Sequence, residues 1–572
     1  MALARGKLSR RSFLSGGLTA ACGTGAALIF GCGGGSPGAT QAPSSGIIAA
    51  GPRRGGQITI GSLLPLPVLG LDPHTDGSAD DITEFIYSRL YGWNPTNQVA
   101  IFNDLATALE IPDPDRSKFI FRLRPGVKIH SIPGNPASGG EITAEDCKQS
   151  FIHRGTSIAA SDKRLTLLIS GTTSPDSGAL GAALQTPDPL TFSFKLTRPF
   201  VPAFSQMAKP EWAILPAGQI AESGKGYADS LHSALGSGPF KLERLDGENV
   251  VLVRHPEYFL SPRPWLDRII FELGSSTAAQ VSGLKAGHFD AIAAAISRDD
   301  FRRLKDDGRF TVARAPTLFN PSIHFRIRTP FDDARVREAI DLALDRQAFL
   351  DAIWDSEGSY NGPIAWPLTQ WALPLDELRR LYPHDPARAR ALLEEAGYAN
   401  GFATTMKVPG PESSGVFDIK KAAGRIVADL SQIGLTVTVD EVDLDSFIAN
   451  TLLPGNFEMA FFPNMPYDEP DRPLAFYTTQ GITGVGNWSN YTNTQIDGLV
   501  EAQTREFDEQ RRQQIIYEAQ RLMIKEHGPQ ITLPSGYQYH AHASRVHYPY
   551  EPGEPPSPGA GPWGSDFWTE AA

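Results

Sequence analysis

Two groups of residues in the sequence have types and spacings that could support catalysis or metal binding. Ser282 and Lys285 match a Ser-x-x-Lys pattern, in which a lysine amine activates a serine hydroxyl as a nucleophile. His540, His542 and His547 lie close together in a strand-like stretch, where residues two apart point to one face and could share a metal ion. The serine pattern lacks its partner motifs, and an exposed strand is the favoured explanation of the histidines. We therefore interpret both groups as exposed structure.

A third candidate is a run of glycines, because glycine-rich loops can bind phosphate through their backbone N–H groups. Gly481, Gly484 and Gly486 have the wrong order for such a loop and no strand-to-helix context around them, so they indicate a flexible loop. A nucleophile, a base and an oxyanion-stabilising group cannot be recognised as a set in this sequence. We expect a protein with no catalytic residues, no cofactor and no metal. An exported hydrolase or metal-dependent enzyme is the alternative.

The length and composition limit the class of protein further. The chain has 572 residues, or three to four domains at the usual ~150 residues each. It contains no apolar run of the ~20 residues that a membrane-spanning helix needs, which excludes a polytopic transporter. The formal charge of -12 repels the phosphates of nucleic acids. Only three cysteines occur, Cys22, Cys32 and Cys147, and the first two lie at the N-terminal end, so a disulfide framework is not available.

The N-terminus has the pattern of an export signal. Arg10 and Arg11 precede a mildly apolar, glycine-rich stretch at 16–31 that is too short to span a bilayer, as in twin-arginine signals. Residues 29–32 resemble the lipobox of bacterial lipoproteins, which implies that Cys32 carries a lipid; an ordinary cleavage site or a free cysteine is the alternative. Residues 33–54 are mainly small and polar and predict a flexible tether. We assign 1–32 to the signal and expect an exported, lipid-anchored protein in the periplasm or on the outer face of the cell membrane.

The remaining sequence alternates strand and helix patterns. Residues 119–123 and 192–196 alternate apolar with other side chains, as strands with one buried face do. An Asp-Pro start and a glycine stop bracket a predicted helix over 387–396. A helical stripe over 426–433 leads directly into a strand pattern at 435–439, and another helix is predicted over 515–523. This order is typical of α/β layers.

Nine short blocks of sequence follow one another in a fixed order. They lie at 55–60, 71–74, 87–91, 104–106, 121–130, 143–147, 236–242, 286–290 and 330–346. The last block is also a capped amphipathic helix, in which Asp332 or Asp333 suits the N-terminal end and Val336 and Ile340 belong to the buried face. Together the blocks resemble the extracytoplasmic solute-binding proteins of peptide and nickel ABC importers, the bacterial solute-binding protein family 5.

The resemblance implies an α/β, two-lobed fold like that of the periplasmic binding proteins. The first lobe carries an extra subdomain, and a ligand cleft lies between the lobes. Lobe I then comprises 55–95, 225–315 and 490–572, the extra subdomain comprises 96–224, and lobe II comprises 316–489. Closure of the lobes by a hinge encloses the ligand.

The resemblance also implies which residues line the cleft. In peptide-binding members an aspartate meets the amino group of the peptide; here Pro466 occupies its position, and a proline can carry no charge. Asp468 is the nearby substitute, unless it is a loop or cap carboxylate. The full set of expected contacts is Asn320, His324, Tyr360, Trp366, Met465, Tyr467, Asp468, Asn487 and Trp488. Aromatic and amide side chains suit a shape-reading cleft. Alternatively, the tryptophans belong to the core or to a lobe edge and the asparagines to turns.

Function and partners follow from the same resemblance. It implies the substrate-binding component of an ABC importer, which captures a solute, with peptides as the leading class, and delivers it to the membrane permease. Oligosaccharides, metal chelates and other small polar solutes are the alternatives, as is a receptor that signals without transport. We expect a monomer that does not bind nucleic acid.

Overall fold

A computed structural model gives the fold of most of the chain. It describes residues 52–63, 71–74, 80–94, 99–101, 104–135, 137–157, 162–174, 176–223, 234–410, 417–464, 467, 469–481, 486–547 and 567–570. The export signal, Cys32 and most of the tether lie outside these residues, as do Met465 and Asp468 of the predicted site. None of the described helices is long and apolar enough to cross a membrane.

The strands of the described residues are numbered in chain order. They are β1 Gln57–Gly61, β2 Gly92–Asn94, β3 Val99–Ile101, β4 Ala106–Glu110, β5 Lys118–Leu123, β6 Gln185–Asp188, β7 Thr191–Lys195, β8 Phe240–Leu245, β9 Asn249–Arg254, β10 Arg268–Glu272, β11 Ala291–Ile292, β12 Phe310–Pro316, β13 Asn320–Phe325, β14 Ala403–Pro409, β15 Thr436–Val442, β16 Met459–Asn464, β17 Gln530–Thr532, β18 Tyr537–Ala543, β19 Val546–His547 and β20 Trp568–Thr569.

Helices alternate with these strands. The α-helices are Asp80–Ile86, Ala144–Thr156, Arg164–Ser170, Ser177–Ala183, Ala203–Gln206, Ala217–Ser223, Thr277–Ala286, Arg298–Lys305, Ala334–Ala343, Arg346–Trp354, Leu375–Leu381, Pro386–Glu395, Ile419–Ser431, Leu444–Ser446, Asp471–Ala475, Thr494–Arg505 and Glu509–Lys525. A 3₁₀ turn at Pro210–Trp212 and a π-helical segment at Phe447–Leu452 complete the set.

The first large sheet has seven strands in the order β12-β18-β11-β1-β10-β9-β8. Its central strand β1 pairs in parallel with both β10 and β11, and the other pairs are antiparallel. The first block of the resemblance, at 55–60, thus leads into this central strand. Ile58, Leu252 and Ile269 are fully buried in the core of this sheet.

The second large sheet has five strands in the order β15-β14-β16-β13-β17. Strand β14 pairs in parallel with β15 and β16, while β13 pairs antiparallel with β16 and β17. Its core includes Ile323 and Met406 from the strands together with Ile340, Leu392 and Ile426 from three helices. Along each helix the buried apolar residues recur every three or four positions, so one face of the helix packs against the sheet.

Two crossing segments connect the large sheets. The chain passes from β12 to β13 through 317–319 and returns from β17 to β18 through 533–536. The crossings bond to their neighbours: the Thr317 amide donates to the Gly536 carbonyl at 3.0 Å, and the Leu533 amide donates to the Pro321 carbonyl at 2.8 Å. The two lobes expected from the sequence are thus the two large sheets with their helices.

The extra subdomain expected at 96–224 contains a four-stranded sheet in the order β4-β5-β7-β6. Phe119, Phe121, Phe192 and Phe194 stack in its core, and Cys147 is buried there without a disulfide partner. The strand predictions at 119–123 and 192–196 are confirmed by β5 and β7. This core is separate from those of the two large sheets.

The helix predictions rest on local signals, and the structure confirms them. The helix predicted over 387–396 is Pro386–Glu395, and the Asp385 side chain accepts a hydrogen bond from the Arg388 amide at 2.9 Å. Asp333 caps Ala334–Ala343 in the same manner through the Arg335 amide, also at 2.9 Å. The structure departs from the predicted segmentation after residue 490. Strand β17 pairs with β13 in the five-stranded sheet, so the chain reaches lobe I again only at β18.

Candidate functional site

A cavity of about 630 Å³ lies between the two large sheets. The seven-stranded sheet contributes Gln538 and His540 of β18 and the loop residue Leu63, and the five-stranded sheet contributes Phe462 of β16 and Pro409 at the end of β14. Cavities of this size accommodate small ligands, and they commonly form where two structural units meet. The position between lobes makes this cavity the candidate binding cleft.

A short helical segment forms one wall of the cleft. Asp443 caps it by accepting a hydrogen bond from the Ser446 amide at 2.9 Å, and the π-helical turn Phe447–Leu452 follows. Phe447 packs under Phe462 with ring centroids 5.4 Å apart, which fixes the segment to β16. Ile448 and Leu453 project from the same segment and line the cavity.

Aromatic side chains form the adjoining wall. Trp488 lies 5.6 Å from Phe462 and 5.6 Å from Phe476 between ring centroids, and Tyr467 lies 5.9 Å from Phe476 in an edge-to-face arrangement. Such rings prefer centroid separations of 4.5–7 Å, so this wall is held by mutual packing. Of the predicted contact residues that the structure describes, Tyr467 and Trp488 line the cleft.

Three other predicted residues lie buried outside the lining. His324 stacks beneath Phe462, with centroids 4.4 Å apart and planes 9° from parallel. The Asn320 amide donates to the Gly362 carbonyl at 3.0 Å. The Asn487 amide donates to the Thr478 and Tyr491 carbonyls, both at 2.8 Å, and so closes the turn that carries Trp488. These residues support the cleft from behind, and ligand contact by them remains a prediction.

Tyr360 and Trp366 lie near the second crossing segment. Trp366 Nε1 donates to the Ser535 carbonyl at 3.0 Å, and Asn361 donates to the Leu533 carbonyl at 2.9 Å. Tyr360 packs against a separate apolar cluster around Tyr382. Neither residue lines the cavity, and ligand contact by them remains a prediction.

The sequence did not lead us to the wall formed by 444–453 or to the residues of lobe I that line the cleft. The only local signal was the excess of apolar residues in 444–453, which an ordinary amphipathic helix would explain equally well. Leu63 and His540 lie far apart in sequence and line the same cavity only because β1 and β18 belong to one sheet. No local pattern carries that information.

Of the groups considered for chemistry, His540 lines the cleft, whereas the Ser-x-x-Lys pair has a structural role. Lys285 pairs with Asp300 at 2.6 Å, and Ser282 is exposed on the helix Thr277–Ala286. Within the described part of the chain, the one group of side chains close enough to hold a metal ion is Asp72, His74 and His153, in lobe I and its subdomain. His153 Nε2 already bonds to Asp72 at 2.8 Å, and His74 Nε2 bonds to the Ala213 carbonyl at 2.8 Å. These contacts explain the group as a buried hydrogen-bond cluster.

A second cavity, of about 660 Å³, lies between the subdomain and the segment after β16. Its charged side chains already have partners. Arg164 pairs with Asp471 at 2.7 Å, and Arg198 pairs with Glu501 at 3.0 Å. Because these charges satisfy one another, we regard the space as part of an interface and the cleft between the sheets as the candidate site.

The buried His324 predicts a pH-dependent stability. Burial lowers the pKa of its imidazole from 6.5 to about 3. Between those values the unfolded chain binds a proton that the folded protein does not, so stability falls as the pH drops below about 6.5. We expect the free energy of unfolding of the wild type, relative to His324→Phe, to fall by about 2 kcal/mol between pH 8 and pH 5.

Denaturant unfolding at both pH values measures this difference. The matched control is His288→Phe, since the side chain of His288 is 57% exposed. Parallel pH curves for the wild type and His324→Phe would contradict the prediction.

Comparison with known proteins places this geometry among extracellular binding proteins. Residues 100–487 match the family described as bacterial extracellular solute-binding proteins, family 5 Middle. A dipeptide-binding protein of Pseudomonas aeruginosa is 27% identical over 492 residues, which span 84% of this chain and 90% of the relative.

Two solved structures have the same fold. DppA, a periplasmic binding protein of Helicobacter pylori in complex with the peptide STSA, has a TM-score of 0.74 and 22% identity, covering 91% of this chain and 99% of DppA. AgaA of A. tumefaciens R10, in complex with agropinic acid, has a TM-score of 0.75 and 22% identity, covering 90% and 99%. In both cases the likeness covers at least 90% of this chain.

Proposed function

Because this chain belongs to the bacterial extracellular solute-binding proteins of family 5, we propose that it captures a short peptide between its lobes and delivers it to the permease of an ABC importer. The observation that carries the proposal is the cavity of about 630 Å³ with one wall from each large sheet. A ligand in such a cavity contacts both lobes at once. It therefore favours the closed arrangement over any open one.

The crossing segments suit a hinge. Only 317–319 and 533–536 connect the two large sheets through the described backbone. Gly536 lies in the second of them. A Cβ atom at this position would lie 2.4 Å from the Glu357 carbonyl oxygen, so the close approach of the two backbones requires glycine here. A rotation distributed over these few residues would open the cleft while both sheets stay intact.

Similarity and size support a peptide as the solute. The Pseudomonas aeruginosa relative is named for dipeptides, and the Helicobacter pylori structure holds a four-residue peptide. A cavity of about 630 Å³ falls within the usual ~300–1,000 Å³ of small-ligand sites. Aromatic walls such as that of Trp488 and Phe476 give large contact area to the side chains of a peptide.

Export, anchoring and assembly complete the proposal. The paired Arg10 and Arg11 support export through the twin-arginine route, and Cys32 supports attachment to a lipid. The tether would then hold a monomeric receptor next to its permease. The protein acts by binding alone, without catalysis, and its acidic charge keeps it from nucleic acids.

The proposal is tested by native mass spectrometry of the body beginning after Cys32. Denaturation then releases whatever solute has co-purified with it, and peptide mixtures of two to five residues are titrated calorimetrically. Co-purified peptides or saturable peptide binding support the proposal. A sugar, chelate or metal as the sole bound solute would contradict it.

We expect Trp488→Ala to weaken peptide binding by about 10- to 100-fold, the cost of losing one aromatic contact of about 1.5–3 kcal/mol. The measurement is calorimetric affinity, with melting temperature as the check of folding. Tyr517→Ala is the matched control, since Tyr517 is a half-buried aromatic residue that does not line the cleft. Unchanged affinity in Trp488→Ala would show that the solute binds elsewhere.

A further inference from the structure

We propose that the cleft selects peptides with apolar side chains and rejects those that place a charged side chain between the lobes. This inference rests on the proposed capture of peptides and names the chemical class of the peptide.

The first observation is the concentration of exposed apolar side chains in the cleft. Four large hydrophobic residues are exposed among the residues that the structure describes, and all four line this cavity. They are Leu63, Leu444, Ile448 and Leu453, with exposed fractions of 45%, 42%, 44% and 67%. Exposed apolar side chains that gather in one place mark a surface that something covers.

These side chains lie on opposite walls. Leu63 follows β1 of the seven-stranded sheet, whereas Leu444, Ile448 and Leu453 belong to the segment after β15 of the five-stranded sheet. A flat partner surface could cover one wall only. A small apolar group inserted between the lobes covers both, which identifies a solute as the occupant.

The second observation is the absence of charged side chains from the part of the lining that the structure describes. Among the described residues that line the cavity, none is Asp, Glu, Lys or Arg. The polar members include Gln538, His540 and Tyr467, and burial lowers the pKa of His540 to about 4, so its imidazole is neutral at neutral pH. A charged side chain entering this space would lose hydration and gain no opposite charge from the described lining residues.

Two cations of the described residues lie against the aromatic wall without lining the cavity. Lys209 Nζ and the Arg472 guanidinium carbon lie 5.9 and 5.8 Å from the ring centroid of Tyr467, and neither residue lines the cavity. Arg472 is engaged with Asp162 at 3.1 Å. The tyrosine ring therefore separates these cations from the solute.

The test compares four tetrapeptides with identical ends, Ala-Phe-Leu-Ala, Ala-Ser-Asn-Ala, Ala-Glu-Asp-Ala and Ala-Lys-Lys-Ala, by calorimetric titration of the wild-type body. We expect the apolar peptide to bind at least about 100-fold more tightly than either charged one, since two buried apolar side chains each contribute tenfold or more. The Ser-Asn peptide should fall between them.

A variant tests the cleft itself. Leu453→Asp places a carboxylate at the most exposed of the four hydrophobic residues, so the fold should tolerate it. We expect about a tenfold or greater loss of affinity for Ala-Phe-Leu-Ala. The matched control is Ala387→Asp, at an exposed position of the helix Pro386–Glu395 outside the lining, and it should leave affinity unchanged.

The outcomes separate this inference from the proposed function. Equal affinities for the apolar and charged tetrapeptides would overturn apolar selection and leave peptide capture intact. If no tetrapeptide binds and denaturation releases an uncharged apolar solute that is not a peptide, peptide capture is overturned and the apolar character of the cleft is upheld. If no tetrapeptide binds and no apolar solute is released, both are overturned.

Discussion

Replacing Gly236 by alanine should destabilise the protein by about 4 kcal/mol or more, an effect large enough to prevent accumulation of folded protein. A Cβ atom at this position would lie 2.1 Å from the Ile86 carbonyl oxygen and 2.8 Å from a ring carbon of Tyr87. The oxygen cannot move away cheaply, because it accepts a hydrogen bond from the Gly238 amide at 2.8 Å. Gly236 is held as well, since its own carbonyl accepts from the His130 amide at 2.8 Å.

The measurement is the free energy of unfolding of the Ala variant, or its soluble yield where it does not fold. Two glycine controls separate the steric contact from a general effect of alanine. Gly308→Ala meets nothing within 4 Å and should be nearly neutral, whereas Gly424→Ala, inside the helix Ile419–Ser431, should stabilise by about 0.5–1 kcal/mol. A Gly236→Ala variant as stable as Gly308→Ala would contradict the packing described for this turn.

Gly236 illustrates how far the sequence could lead. The block at 236–242 supported the family resemblance, yet the reason for its first glycine is a contact with a residue 150 positions earlier in the chain. Local features were predictable because their causes are local. A cap such as Asp385 and the apolar stripe of Leu392 and Leu393 act within a few residues of each other, so the helix Pro386–Glu395 could be predicted.

The candidate site was less predictable for the same physical reason. Tyr467 and Trp488 were found through the resemblance, whereas Leu63 and Ile448 reach the cleft only through the arrangement of two sheets. Asn487 has a residue type suited to ligand binding, but its amide is used by the turn between Thr478 and Tyr491. Side-chain type alone does not distinguish these two uses.

A buried charge network connects the subdomain to the segment after β16. Arg164 of the subdomain lies 2.7 Å from Asp162 and 2.7 Å from Asp471, and Gln503 donates to Asp471 at 3.0 Å. Burial alone would raise the pKa of Asp162, but the guanidiniums of Arg164 and Arg472 outweigh it and hold that pKa well below its usual value. The network therefore depends on Arg164 to neutralise two buried carboxylates.

Arg164→Met should lower the free energy of unfolding at pH 7 by about 3–5 kcal/mol, because it leaves carboxylates buried without their main partner. The matched control is Arg388→Met, which breaks a pair with Glu395 at a site where the arginine is 48% exposed, and it should cost less than about 1 kcal/mol. Denaturant unfolding at pH 7 measures both differences.

The pH dependence of the stability lost in Arg164→Met identifies the cause of that loss. In the wild type, the lowered pKa of Asp162 provides stability that is present above about pH 3.8 and is lost as the pH falls through the folded value. In Arg164→Met the same carboxylate is buried with less compensation, so its pKa rises and it binds a proton at a higher pH than in the wild type. The difference between the two proteins should therefore be largest near neutral pH and shrink as the pH approaches 4. A deficit that stays constant over this range would assign the loss to packing of the arginine side chain instead of its charge.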